Sequence, residues 1–149
     1  SYYNEIAFRL YKHKVDLNPR IIETMTFLKE NGIKLSICSS SPKSWVDIVI
    51  KRFNLDKLID IIITSDDTDG KSKPSPQIYL NCLKKLNLNN KEVIAVEDSK
   101  NGIKSANNAN IYCIGYYNGF NIEKDLNLAK LIISDLTKLK DLNKLNSLL

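Results

Sequence analysis

Three observations predict an α/β fold, a doubly wound, three-layer Rossmann-like parallel sheet with helices on both faces. Short runs rich in Ile, Val and Leu recur at 33–39, 61–64, 93–96, 111–114 and 131–134. Stretches of helical length separate them. The runs are nearly continuous in apolar character rather than alternating, as strands covered on both faces require. Strands alternating with helices then imply right-handed crossovers and a parallel sheet.

The elements follow in order. Ile6, Phe8, Leu10 and Tyr11 recur loosely over 3–12, and Ile21, Met25 and Leu28 give a stripe over 19–31, so the chain opens with two helices. Asn18 before Pro19 reads as an N-cap with proline at the first helical position, and Gly32 as the terminator. After the strand at 33–39, Ser40, Ser41 and Pro42 start a helix whose inner side carries Trp45, Val46, Ile48, Val49 and Phe53. Ser75–Pro76 opens a helix to about Leu86, and Ser99 caps another to about Asn108. A Leu-rich helix is expected from Leu136 to the end of the sequence.

The chain of 149 residues suits one domain with a substantial core, and 43% hydrophobic with 26% charged residues argues against disorder. No apolar run approaches the roughly 20 residues of a membrane helix, so no membrane role is expected. Lys and Arg total 22 against 17 Asp and Glu, a net charge of +5. The lysines are scattered and lack interleaved aromatics, which makes solvated faces the expectation and nucleic-acid binding the least favoured function. Cys38, Cys82 and Cys113 show no C-x-x-C spacing, against both a disulfide framework and a zinc site. With no signal-peptide pattern at the first residues, a cytoplasmic location is expected. His13, between two lysines, reads as solvated, and Cys38 as a small core residue.

In doubly wound sheets ligands bind beyond the carboxyl ends of the strands. Three constellations fall there. Ser39, Ser40 and Ser41 offer a hydroxyl and backbone amides at a helix start, which suits an anion, although serine is equally an ordinary cap. Lys73 precedes two spaced prolines, Pro74 and Pro76, which stiffen the backbone that aims its ammonium. Glu97 and Asp98 are adjacent carboxylates at the end of a buried strand; they repel and call for a cation, and hard oxygens favour Mg²⁺. Ser99 can cap the following helix and leave them free.

Taken together, the S-S-S of Ser39–Ser41, the T-S-D-D and K-P-x-P of 64–76, and the V-E-D-S-x-x-G-I of 96–103 resemble the haloacid dehalogenase (HAD) superfamily, in its β-phosphoglucomutase and phosphoglycolate phosphatase group. The resemblance covers essentially the whole chain. It implies that Ser39 and the Ser40 amide bind phosphate, that Lys73 balances charge on the phosphoryl group and nucleophile, and that Glu97 and Asp98 help to hold Mg²⁺. Ser39 and Lys73 are thereby the catalytic candidates. Gln77 and Asn110 depart from the group's usual Asp and Gly.

A larger departure concerns the nucleophile. The resemblance implies a D-x-D-x-[TV] motif on an N-terminal strand, and none is found; 67–70 reads D-T-D-G but follows the second strand, at the spacing of the loop before K-P-x-P. Residues 1–15 are expected to belong to a helical cap, most of it missing, and 16–149 to the HAD-like core. About a third of a typical member is then expected upstream, if such chains run to roughly 200 residues. The missing strand would be central, and its loss would leave two inner edges unpaired. The implied function is Mg²⁺-dependent phosphoryl transfer from a small phosphorylated metabolite, as a phosphatase. This chain alone is expected to be inactive, with an N-terminal segment of the same protein as its missing partner. A β-phosphoglucomutase-type mutase is an alternative, disfavoured by the order of Tyr3 and Asn4. A non-catalytic phosphate- or partner-binding module is the other.

Overall fold

The computed structural model describes residues 2–149, with the side chains of 2–4, 7 and 19 outside the description; the Tyr3–Asn4 comparison therefore lies outside the described residues. Helix α1 spans Tyr2–His13 and α2 spans Pro19–Glu30. The Asn18 side chain accepts the Arg20 N–H at 3.0 Å, and Gly32 turns the chain out of α2 at φ +78°. Then follow β1 (Ser36–Cys38), α3 (Lys43–Arg52), β2 (Ile61–Ile63), α4 (Gln77–Leu86), β3 (Ile94–Glu97), α5 (Lys100–Asn108), β4 (Tyr112–Tyr116), β5 (Leu131–Ile133) and α6 (Leu142–Leu148).

Every strand pair is parallel, but the strands form two half-sheets, β1–β2 and β3–β4–β5. The single expected sheet is therefore divided between β1 and β3. Each of these strands is paired on one side only among the described residues. Chain order runs outward from this division in both directions, which makes it the topological switch point where strand-end ligands gather.

Both faces of the half-sheets are covered. Ile61 and Ile63 of β2 and Ala95 of β3 pack with Ile78, Cys82, Ile103 and Ala106 of α4 and α5. On the other face Ile37 and Ile62 meet Val46 and Ile50 of α3, while Ile114 and Ile133 meet Leu28 of α2 and Leu136 and Leu139. Ile63 and Ile103 are wholly buried, each contributing about 2 kcal/mol relative to exposure.

Two expectations change in detail. The strand expected over 33–39 is paired only at Ser36–Cys38, since its first residues lead in from the Gly32 turn. The C-terminal segment is not one helix: Leu136–Lys140 is 3-10, and the Asp141 side chain, accepting the Lys144 N–H at 3.0 Å, starts α6 afresh. The leucine pattern reports the buried face and does not show the break. Asn110 takes the left-handed conformation at φ 56°. Among the described residues no helix is long and apolar enough to cross a membrane.

Candidate active site at the strand ends

Lys73 lies in the β2–α4 connection, and its peptide bond to Pro74 is cis. Its ammonium donates to the Cys38 carbonyl at the end of β1, at 2.9 Å, and to Glu97 Oε1 at the end of β3. One side chain thus reaches across the division in the sheet. It touches the residue before Ser39 and the residue before Asp98, so the three predicted junctions meet in one place.

The Lys73 and Glu97 side chains are only 10% and 9% exposed. Glu97 Oε1 also accepts the Tyr79 hydroxyl, whose ring lies 5.3 Å from the ammonium. Burial, reinforced by the Glu97 charge, pushes the Tyr79 phenol up. Burial likewise raises the Cys113 thiol, to about 12.

Glu97, expected beside Asp98 as a cation ligand, is engaged in this structure by Lys73 and Tyr79. Successive strand residues face opposite ways. Ala95 and Glu97 point into the α4–α5 layer, so Glu97 becomes the counter-ion of Lys73, while Asp98 beyond the strand is exposed. Gly102 makes room for this: a Cβ there would lie 1.8 Å from Glu97 Oε2. The glycine of V-E-D-S-x-x-G is a packing requirement here.

Ser39 Oγ accepts the Ser41 N–H at 3.1 Å, Ser40 is exposed, and Ser99 accepts the Gly102 N–H at 3.1 Å, freeing Asp98 from capping. The start of α3 has a partner the sequence reading missed. Asp66 Oδ2 accepts the Lys43 N–H at 3.1 Å, so a carboxylate sits at the proposed anion-binding helix start. Asp67 is committed to structure: its carboxylate accepts the Thr64 N–H at 2.8 Å and the Thr64 hydroxyl at 3.1 Å, which hold it below the usual carboxylate range.

Asn118, Asn121 and Tyr79 also escaped the sequence reading. The only available signal for the first two was position, since an Asn-Gly turn after the fourth strand falls at the ligand-binding end.

Among the described residues no three His, Cys, Asp or Glu side chains converge as a ready metal cluster. Asp98 nevertheless supplies the hard, exposed carboxylate that Mg²⁺ takes, and Mg²⁺ commonly binds through one or two carboxylates plus water and phosphate. The residues present therefore fit part of its shell.

A divided parallel sheet with an ammonium, a hydroxyl and a carboxylate at its switch point defines an α/β protein with a strand-end site of the doubly wound kind. The family model described as haloacid dehalogenase-like hydrolase matches residues 1–116, and the chain belongs to that family. It is 33% identical over 103 residues to the phosphorylated carbohydrates phosphatase of Thermotoga maritima, covering 69% of this chain and 47% of that protein. It is 32% identical over 97 residues to hexitol phosphatase B of Escherichia coli K12, covering 65% and 43%. The chain thus spans about half the length of the curated relatives it matches. The β-phosphoglucomutase structure from Clostridium difficile superposes at TM-score 0.80 with 26% identity, over 99% of this chain and 62% of that one. The HAD phosphatase structure from Thermococcus onnurineus does so at 0.80 and 27%, over 95% and 64%.

Proposed function

We propose that this chain forms most of the catalytic core of a Mg²⁺-dependent phosphatase acting on a small phosphomonoester. Phosphorylated carbohydrates are the favoured substrate class. The observation that carries the reading is the Lys73 ammonium spanning Cys38 and Glu97, beside Ser39 and Asp98. An ammonium carries three N–H donors. Two are directed at protein acceptors, and the third suits a phosphoryl oxygen. The Ser39 hydroxyl and the Ser40 amide would hold further phosphoryl oxygens. Names of relatives support the substrate class: a phosphorylated carbohydrates phosphatase and a hexitol phosphatase are among them.

Asp98 is the residue of this chain that would hold Mg²⁺, which when bound supplies positive charge against the phosphoryl oxygens. Glu97 keeps Lys73 charged and aimed. The aspartyl nucleophile is supplied by a segment outside these 149 residues, seated between β1 and β3, while residues 1–15 belong to a cap. Attack by its carboxylate on phosphorus forms one P–O bond as the ester P–O bond breaks. Three unpaired cysteines suit a reducing, cytoplasmic setting.

The test is hydrolysis of p-nitrophenyl phosphate with Mg²⁺, by the chain alone and by the chain extended with a D-x-D strand. The chain alone should be inert and the extended form active. Substantial turnover by the 149 residues would defeat the nucleophile assignment. Inertness of both, with phosphate still bound, would favour the non-catalytic module, and isomerisation of a hexose phosphate would favour the mutase.

A further inference from the structure

Asp98 lies just past the end of β3, exposed, where its own strand no longer fixes its direction. The loop after β4 reaches it. Asn118 Nδ2 donates to Asp98 Oδ2 at 3.2 Å. Asn121 Nδ2 donates both to the Asp98 carbonyl at 2.8 Å and to the Tyr116 carbonyl at 2.9 Å, joining the exits of β3 and β4.

The two asparagines also hold each other. Asn118 Oδ1 accepts the N–H groups of Phe120 at 2.8 Å and Asn121 at 2.9 Å, and Asn121 Oδ1 accepts the Asn118 N–H at 3.1 Å. Gly119, at φ +83°, supplies the left-handed turn that closes the loop. Phe120 at its tip is 99% exposed, so apolar packing does not hold the loop there.

We propose that Asn118 and Asn121 are positioning residues that clamp Asp98 for the cation, Asn118 by its carboxylate and Asn121 by its backbone. This rests on the reading of Asp98 as the cation ligand. A neutral amide suits the task. It occupies one lone pair of Oδ2 and leaves Oδ1 for metal, whereas a lysine or arginine would bring a competing positive charge. A held carboxylate also loses less side-chain freedom on binding. Hydrogen-bonded partners behind metal ligands commonly govern affinity in this way.

The probe is Mn²⁺, titrated into the chain extended with the D-x-D strand and followed by water-proton relaxation, with thermal midpoints measured in parallel. Asn118→Ala should weaken Mn²⁺ about tenfold and lower the midpoint by less than Asn121→Ala does, since it also releases the Phe120 and Asn121 N–H groups. Asn121→Ala should weaken Mn²⁺ and lower the midpoint, because it unties β3 from β4. Phe120→Ala, on the same loop without a contact to Asp98, should change neither. Asp98→Asn should abolish the site. Unchanged Mn²⁺ affinity in Asn118→Ala, with Asp98→Asn inactive in binding, would overturn the clamp alone. Absence of Mn²⁺ binding in the unsubstituted extended chain, or undiminished binding in Asp98→Asn, would remove Asp98 as ligand and overturn the clamp with the reading beneath it.

Discussion

Lys73 and Glu97 form a buried ion pair that joins the two half-sheets at their carboxyl ends. A buried pair is costly to break from one side, because the remaining charge has neither water nor a partner.

Lys73→Met should therefore destabilise the fold by about 3 kcal/mol, and Glu97→Gln in the same chain should recover about half of that. Urea denaturation of the two single variants and the double variant reads the coupling. A loss below about 1 kcal/mol for Lys73→Met would mean the pair is effectively solvated. Loss of activity in Lys73 variants of an active form must accordingly be corrected for the folded fraction.

Gly102→Ala sets two effects against each other. Alanine gains at most about 1 kcal/mol of helix propensity. Its Cβ, however, would overlap the Glu97 carboxylate, which Lys73 and Tyr79 hold in place. A net destabilisation of about 2 kcal/mol is expected by thermal unfolding. A stabilised variant would show that Glu97 yields freely.

Acid should loosen the contact of α2 with the segments that lead into β1 and β2. The Lys29 ammonium, 2.6 Å from Asp60 Oδ1, and the Leu35 N–H, 2.7 Å from Oδ2, hold the Asp60 carboxyl below its ordinary value of 3.8. The folded state therefore binds the proton less readily than the unfolded one. The resulting stability is complete above about pH 4 and is lost as pH falls through the lower folded value. Asp60→Asn should cost about 1 kcal/mol at pH 7 and show a shallower acid slope of stability in pH-dependent urea unfolding.

The three thiols should react unequally. Cys82 is lowered, chiefly by its hydrogen bond with Cys38, whose own thiol the same contact and burial push up. Cys113 is fully buried and raised to about 12. Peptide mapping after brief iodoacetamide treatment at pH 8 should find Cys82 modified ahead of Cys113. The reverse order would contradict the Cys38–Cys82 contact.

Much of the site was legible because local rules govern it. The Asn18 and Ser99 caps and the Gly32 turn act within four residues of themselves, and the junctions at Ser39, Lys73 and Asp98 follow from strand order. What escaped depends on contacts between distant segments. Asp66 reaches α3 across 23 residues, Tyr79 finds Glu97 across 18, and Asn118 reaches Asp98 across 20. The contact of Glu97 with Lys73 was hidden for a different reason: adjacency in sequence does not show the reversal of direction between a strand residue and its successor.

The reach of one ammonium from Cys38 to Glu97 has a mechanical side. Whatever anion draws Lys73 toward itself tugs on both walls of the cleft at once, so occupancy and the spacing of those walls become a single adjustable quantity. The lysine is a tie-rod as well as a charge.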